Sequence, residues 1–361
     1  MTRQTYTLND NSDAPTITLG ICNGDLTLTG EDGRTDIAAH SDKPLDAVVR
    51  DSGHLVIEWC GDLHLAVPRG TTVIAERVEG DARIEGVAGV KIASIDGDLR
   101  LRAVAGTAAI GHVKGDAAAM ECAVLSVHDV GGDLRIEHNS LSAEAGRVGG
   151  DVRAVDVARL TLGAVGGDAR LEKIAGTLQF VEIEGDLSLQ GVVASFGPAH
   201  VGGDAALDLA YTPGAAHHLD VEGDASVVVA RDADLTLHAT VRGDITGVPA
   251  AHADGSVTRR WGEGTAHLTL RVGGDLSVRS GATASHPTFD APVAPAAPTM
   301  PLMPVAPTAP LAPIARATPM ARALSAMGDA EDGALAAVLD AVARGSLSPA
   351  EADDLLSRSR T

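Results

Sequence analysis

Apolar residues along the middle of the chain fall in triplets of constant spacing. Leu99, Leu101 and Val104 are followed by Ala108, Ile110 and Val113, then Ala117, Ala119 and Cys122, then Leu125, Val127 and Val130. The pattern returns at Val152, Ala154, Val157, Leu160, Leu162 and Val165. The first two members of each triplet are two apart, as on one face of a strand. The third lies three further on, across a bend. An i, i+3, i+4 stripe is absent, and Gly at every eighth or ninth residue would break a helix. Each half-repeat therefore predicts one short strand and one bend.

Two half-repeats make a longer period, marked by Gly-Asp pairs. Between Asp62 and Asp204 the Asp members follow at steps of 19, 17, 18, 17, 18, 17, 18 and 18. A step of 37 from Asp25 to Asp62 is about two periods, and the later steps of 20, 20 and 31 loosen the repeat toward Asp275. A hairpin meander would favour Asn-Gly or Asp-Gly turns, whereas the order here is Gly-Asp. Identical segments at a fixed interval predict an all-β fold, a parallel β-solenoid with two short strands per coil of 17–18 residues. At ~4.8 Å per coil, about 14 periods give a rod roughly 65 Å long.

The Gly-Asp pairs are expected to form a structural ladder along one edge: Asp62, Asp81, Asp98, Asp116, Asp133, Asp151, Asp168, Asp186 and Asp204. In that reading Gly supplies a positive φ at the bend. Asp accepts hydrogen bonds from nearby backbone N–H groups, as in an Asx turn. A calcium ladder is the alternative, since stacked carboxylates repel by about 1 kcal/mol per neighbouring pair in water. The Gly-Gly-x-Gly-x-Asp run of calcium-binding β-rolls is missing, so no metal and no cofactor is expected.

The run Leu63-His64-Leu65-Ala66-Val67-Pro68-Arg69-Gly70-Thr71, the rung Val78-Glu79-Gly80-Asp81-Ala82-Arg83-Ile84 and the rung Ile95-Asp96-Gly97-Asp98-Leu99-Arg100-Leu101 carry a resemblance. Over about residues 55–280 the chain resembles the bacterial adhesin-like β-strand-repeat family, a domain of unknown function. The resemblance implies a right-handed β-solenoid without catalytic residues, and many of its members are exported or membrane-tethered.

Beyond the repeat the composition changes. Pro292, Pro295, Pro298, Pro301, Pro304, Pro307, Pro310 and Pro313 recur at every third residue, which suits one ridge of a polyproline II spacer. Further on, Leu335, Val338, Leu339 and Val342 share a helical face, Gly345 stops that helix, and Ser348-Pro349-Ala350-Glu351 reads as a capping box. Leu355 and Leu356 give a second short apolar face. This hairpin is similar to the SHOCT-like helical module and is expected to bind a partner or a second copy. The predicted organisation is a flexible start over 1–14, the solenoid over 15–280 with its regular part at about 60–245, a Pro/Ala-rich linker over 281–320 and a helical hairpin over 321–361.

Composition narrows the function classes. Hydrophobic residues make up 45% of 361 but aromatics only 2%, which predicts a thin aliphatic core. A net charge of −21 argues against nucleic acid and anionic lipid, and the 28 basic residues, mostly Arg, are expected to build no basic stripe. Cys22, Cys60 and Cys122 have no CxxC spacing and suggest neither a disulfide framework nor zinc. No run is long and apolar enough for a membrane span, and the N-terminus has no apolar leader, so a cytoplasmic location is expected. No Walker A loop, Gly-x-Ser-x-Gly or His-Glu-x-x-His occurs, and the His217-His218 pair is expected at the surface. Only the irregular stretch 247–267, with Trp261, offers a loop for a site. The expected function is a non-enzymatic scaffold that meets a protein partner or itself. A polymer resembling the bactofilins, stacking through open strand edges, and an envelope-stress sensor are the alternatives.

Overall fold

A computed structural model describes residues 2–7, 15–43, 45, 47–50, 53–248 and 255–281. All of them belong to one compact unit, Met1–Pro295. The Pro/Ala-rich linker beyond Gly281 and the hairpin with Leu335, Val338, Leu339, Val342, Leu355 and Leu356 lie outside the described residues.

The described chain has 28 strands, β1 (Thr2–Thr7) to β28 (Leu276–Ser280), most of them wound into a parallel β-solenoid, with no helix among the described residues. Each coil lays one strand on a first face and one on a second. On the first face β8 (Thr72–Val78), β10 (Gly89–Ile95), β12 (Thr107–Val113), β14 (Val124–Val130) and β16 (Ser142–Val148) pair in parallel and in register. On the second face β9 (Ala82–Glu85), β11 (Leu99–Arg102), β13 (Ala117–Met120) and β15 (Leu134–Asn139) do the same. The long strands β17 (Val152–Val165) and β18 (Ala169–Ile183) run round the corner and join the faces into one sheet. Every triplet residue named above points inward and is at most 4% exposed. Mutual burial of these aliphatic columns is the main stabilising term.

The corner between the faces has its own backbone signature. Gly86, Ala103, Glu121, His138, Asp156, Lys173 and Gly191 occupy the left-handed region, with φ from 52° to 72°. Each lies five residues after a ladder Asp, one per coil. The positive φ assigned to the Gly-Asp glycines is therefore found here, and only two of the seven positions are glycine. Stacking holds non-glycine residues in a conformation that costs about 1–2 kcal/mol per residue.

Both ends depart from chain order. Strands β2 (Thr16–Cys22) and β3 (Leu26–Glu31) form a coil that sits between the coil of β6 (His54–Cys60) and β7 (Leu63–Pro68) and that of β8 and β9. At the other end β27 (Ala266–Val272) and β28 sit between β22 (Ala216–Val221) with β23 (Ala225–Val229) and β24 (Leu235–Val241) with β25 (Ile245–Thr246). The steps of 37 and 31 thus contain these interchanges. They also contain antiparallel strands that cover the terminal coils: β4 (Asp36–Ser41) on β7, β5 (Ala47–Arg50) on β6, and β26 (Ser256–Trp261) on β24. Within the stretch expected to be a loop, 256–261 form this last strand, which Trp261 ends. Thr2–Thr7, expected to be flexible, is β1 and pairs with β4.

The core is not uniformly aliphatic. Phe180 and Phe196 lie 5.6 Å apart between ring centroids, Phe196 and His217 4.6 Å, and Tyr211 and His217 6.1 Å. His217, expected at the surface, is 2% exposed, while its neighbour His218 faces outward and is half-buried. In-register Leu268 occupies the position of His217 in the next coil, so the slot accepts an apolar side chain. Burial pushes the His217 pKa down to about 4. Asn139 holds the third triplet position, in register with Val157. It is 2% exposed, and neither of its side-chain polar atoms has a partner among the described residues.

Two outcomes follow. Asn139→Val removes two buried unpaired polar atoms and is expected to stabilise the fold by about 1–3 kcal/mol, read from urea midpoints at unchanged slope. His217 binds its proton in the unfolded chain below its ordinary pKa but in the folded chain only below about 4. Stability should therefore fall as pH drops through that window, by up to about 3 kcal/mol. His217→Leu should flatten the profile by that amount.

Candidate functional site: the aspartate ladder and the arginine column

The Gly-Asp bend is where successive coils come closest. The N–H of Asp98 donates to Oδ1 of Asp81 at 2.9 Å, that of Asp116 to Asp98 at 3.0 Å, and that of Asp133 to Asp116 at 2.9 Å. The same contact continues through Asp151, Asp168, Asp186, Asp204 and Asp224 at 2.7–2.9 Å. It then passes to Asp275 and ends at Asp244, following spatial order rather than chain order. At the N-terminal end it runs from Asp62 to Asp25 to Asp81. All nine predicted ladder residues are thus brought together, with Asp25, Asp224, Asp244 and Asp275 added. The carboxylates accept from the next coil, not from their own turn, which corrects the Asx-turn expectation.

The glycines answer to the same approach. A Cβ on Gly132 would lie 2.1 Å from Oδ1 of Asp116, and one on Gly97 2.3 Å from Oδ1 of Asp81. Their φ values are not positive, so the requirement is space and not backbone conformation. One member of the set has no Gly-Asp signature. Oδ1 of Asp42, just past β4, sits 2.3 Å from where a Gly61 Cβ would be. It takes the place of the missing preceding coil, and only the fold shows this.

Two residues after each ladder Asp, a second column faces outward. Arg83 pairs in register with Arg100, Arg100 with Ala118, Ala118 with Arg135, Arg135 with Arg153, and Arg153 with Arg170. The arginines, expected to form no stripe, fill this column in five of six successive coils. The tetrapeptides Gly-Asp-Ala-Arg, Gly-Asp-Leu-Arg and Gly-Asp-Val-Arg carried the signal. Past Arg170 the column turns small: Ser188, Ala206, Ser226 and Ser277. The aspartates and this column line two clefts of about 510 and 460 Å³, with Asp168 and Arg170 bordering both.

The cleft is zwitterionic rather than basic. Arg135 pairs with Glu137 at 2.6 Å and Arg170 with Glu172 at 2.6 Å, while Arg153 reaches Glu172 at 3.8 Å. Arg83 and Arg100 form no ion pair among the described residues. These pairs are solvent-exposed and contribute little to stability, and like charges stacked across in-register strands oppose it. Five of the six coils from Arg83 to Arg170 offer a guanidinium donor on the floor, and every one of the six offers a carboxylate acceptor on the lip. Among the described residues no three His, Cys, Asp or Glu side chains are grouped as a metal site would require. No described helix is long and apolar enough to cross a membrane.

No family model matches the sequence, and no curated protein matches it. Among solved structures, a candidate cell adhesion protein from Clostridium sporogenes aligns with 78% of this chain and 99% of its own. The identity is 7% and the TM-score 0.20, too low to carry an argument about this chain.

Removing one carboxylate tests the ladder. Asp133→Ala leaves the N–H of Asp151 without its acceptor and should cost about 1 kcal/mol in thermal or urea unfolding. Asp133→Asn keeps an acceptor oxygen and relieves like-charge stacking, so it should cost less. Equal losses for both would show that the hydrogen bond is not what the carboxylate supplies.

Proposed function

We propose that the protein is a non-enzymatic interaction scaffold whose stiff solenoid presents the Asp/Arg cleft to an extended partner. The carrying observation is the arginine column itself. Five guanidinium groups are held in register beside a carboxylate ladder, at a stability cost that packing does not require, since Ala118 and Ser188 fill the same positions. A partner with alternating acceptors and donors would satisfy the cleft coil by coil. The carboxylate lip disfavours nucleic acid. The segment 321–361 is the second contact, through its apolar residues Leu335, Val338, Leu339, Val342, Leu355 and Leu356. A cytoplasmic location accords with three cysteines that are buried and unpaired.

The polymer alternative relied on open strand edges. Antiparallel β5, β4 and β26 now lie on three of the terminal strand edges, and β1 lies on β4, so these coil edges are covered and no longer open for another coil to stack on directly. Discrete rods rather than filaments are expected in negative stain.

The test compares full-length protein, protein ending at Gly281, and the triple variant Arg100→Ser, Arg135→Ser, Arg153→Ser. The triple variant should melt within about 2 °C of the parent, because exposed substitutions of this kind are nearly neutral, and should lose the partner captured by the parent. The truncated chain should lose self-association by light scattering. Unchanged capture and unchanged association in both proteins would remove the scaffold reading.

A further inference from the structure

The N-terminal coil of β2 and β3 is held between two coils to which the chain does not directly connect it. Its link to β6 runs through Asp32–Gly53, by way of β4 and β5. Nothing covalent fixes it in its slot. Across that non-sequential junction, Cys22 of β2 and Cys60 of β6 are in-register parallel neighbours. Both side chains point inward, at 0% and 1% exposure. Cys22 Sγ reaches the carbonyl of Gly61 at 3.1 Å, and Cys60 Sγ faces that of Ile21 at 3.9 Å. Each thiol therefore lies against the backbone of the other coil. In-register parallel strands place Cα atoms ~4.8 Å apart, inside the roughly 4.4–6.8 Å range that a disulfide spans. On its other side Cys22 is in register with Val78. Cys122 lies in the coil of β13, separated from β3 by the coils of β9 and β11, and cannot reach either thiol.

We propose that Cys22 and Cys60 are a modification site, a reversible intrachain disulfide that locks the inserted N-terminal coil to its neighbour. Two S–H bonds break and one S–S bond forms. The two electrons reduce a small-molecule disulfide of the oxidised-glutathione class, whose two halves leave as thiols with the two protons. The contact with the Cys60 thiol holds the Cys22 pKa below its usual range, against the opposing effect of burial. That same contact, together with burial, pushes Cys60 up. Attack by one thiol gives a mixed disulfide with glutathione, which the other thiol, in register beside it, resolves. Access comes through local opening of the end of the stack, where fewer coils must separate than in the middle.

The experiment uses the full chain, native by circular dichroism, incubated with oxidised glutathione, then quenched and unfolded. Thiol titration should fall from three per chain to one. Peptide mapping should link the Cys22 peptide to the Cys60 peptide and leave Cys122 free. The oxidised protein should melt several degrees higher, and dithiothreitol should reverse the shift. Cys60→Ala should stop at a glutathione adduct on Cys22 with no rise in melting temperature. Three titratable thiols after oxidation, a cross-link that includes Cys122, adducts without a cross-link in the parent protein, or a cross-link without a change in melting temperature would each overturn the proposal.

Discussion

Neighbouring coils approach until their backbones hydrogen-bond, and at the Gly-Asp bend that approach leaves no room for a Cβ. Gly97 N–H donates to the Gly80 carbonyl at 3.2 Å, and Ala82 N–H to the Asp98 carbonyl at 2.8 Å. Between these two contacts the Asp carboxylate accepts the N–H of the next Asp. Three interlocking bonds per coil fix both spacing and register. With register fixed, every residue type that recurs at one offset becomes a continuous column. The aliphatic interior, the carboxylate lip, the arginine floor and the left-handed corner are four readings of this one constraint.

Much of the solenoid was legible because its signals are local and repeated. The triplets specify which side chains face inward, and the Gly-Asp interval specifies the coil. The role of the glycine was not legible, since a residue needed for positive φ and one needed for close approach look alike in sequence. The buried position of His217 was hidden for a related reason. The alternation places one member of the His217-His218 pair inside, but an imidazole does not announce which, and its ring contacts Phe196 and Tyr211 lie outside its own strand.

The interchanges at the two ends were invisible for a stronger reason. Ile17, Leu19, Cys22, Leu26 and Leu28 match the inward pattern of any other coil, so the coil of β2 and β3 fits any slot by its side chains alone. What selects the slot is the connection: β4 and β5 must fold back antiparallel over β7 and β6. Asp42 is part of the same arrangement, because it stands where a preceding coil would have placed its carboxylate. The cleft was half legible. The residue offset that builds the arginine column is present in five tetrapeptides, yet its meaning depends on parallel in-register stacking.

The out-of-order coils also bear on how the chain is made. A ribosome releases residues 16–31 well before 54–68 and 72–85, the two segments between which they must finally lie. The first coil to emerge therefore has to wait, unpaired on at least one side, while the next fifty or so residues are synthesised. At the opposite end of the solenoid residues 266–280, the last of its described strands, enter a slot whose two walls, 216–229 and 235–246, already exist. The stack of coils thus starts with a guest awaiting its host and is closed by a keystone. The central coils, by contrast, can be laid down one upon another as they appear.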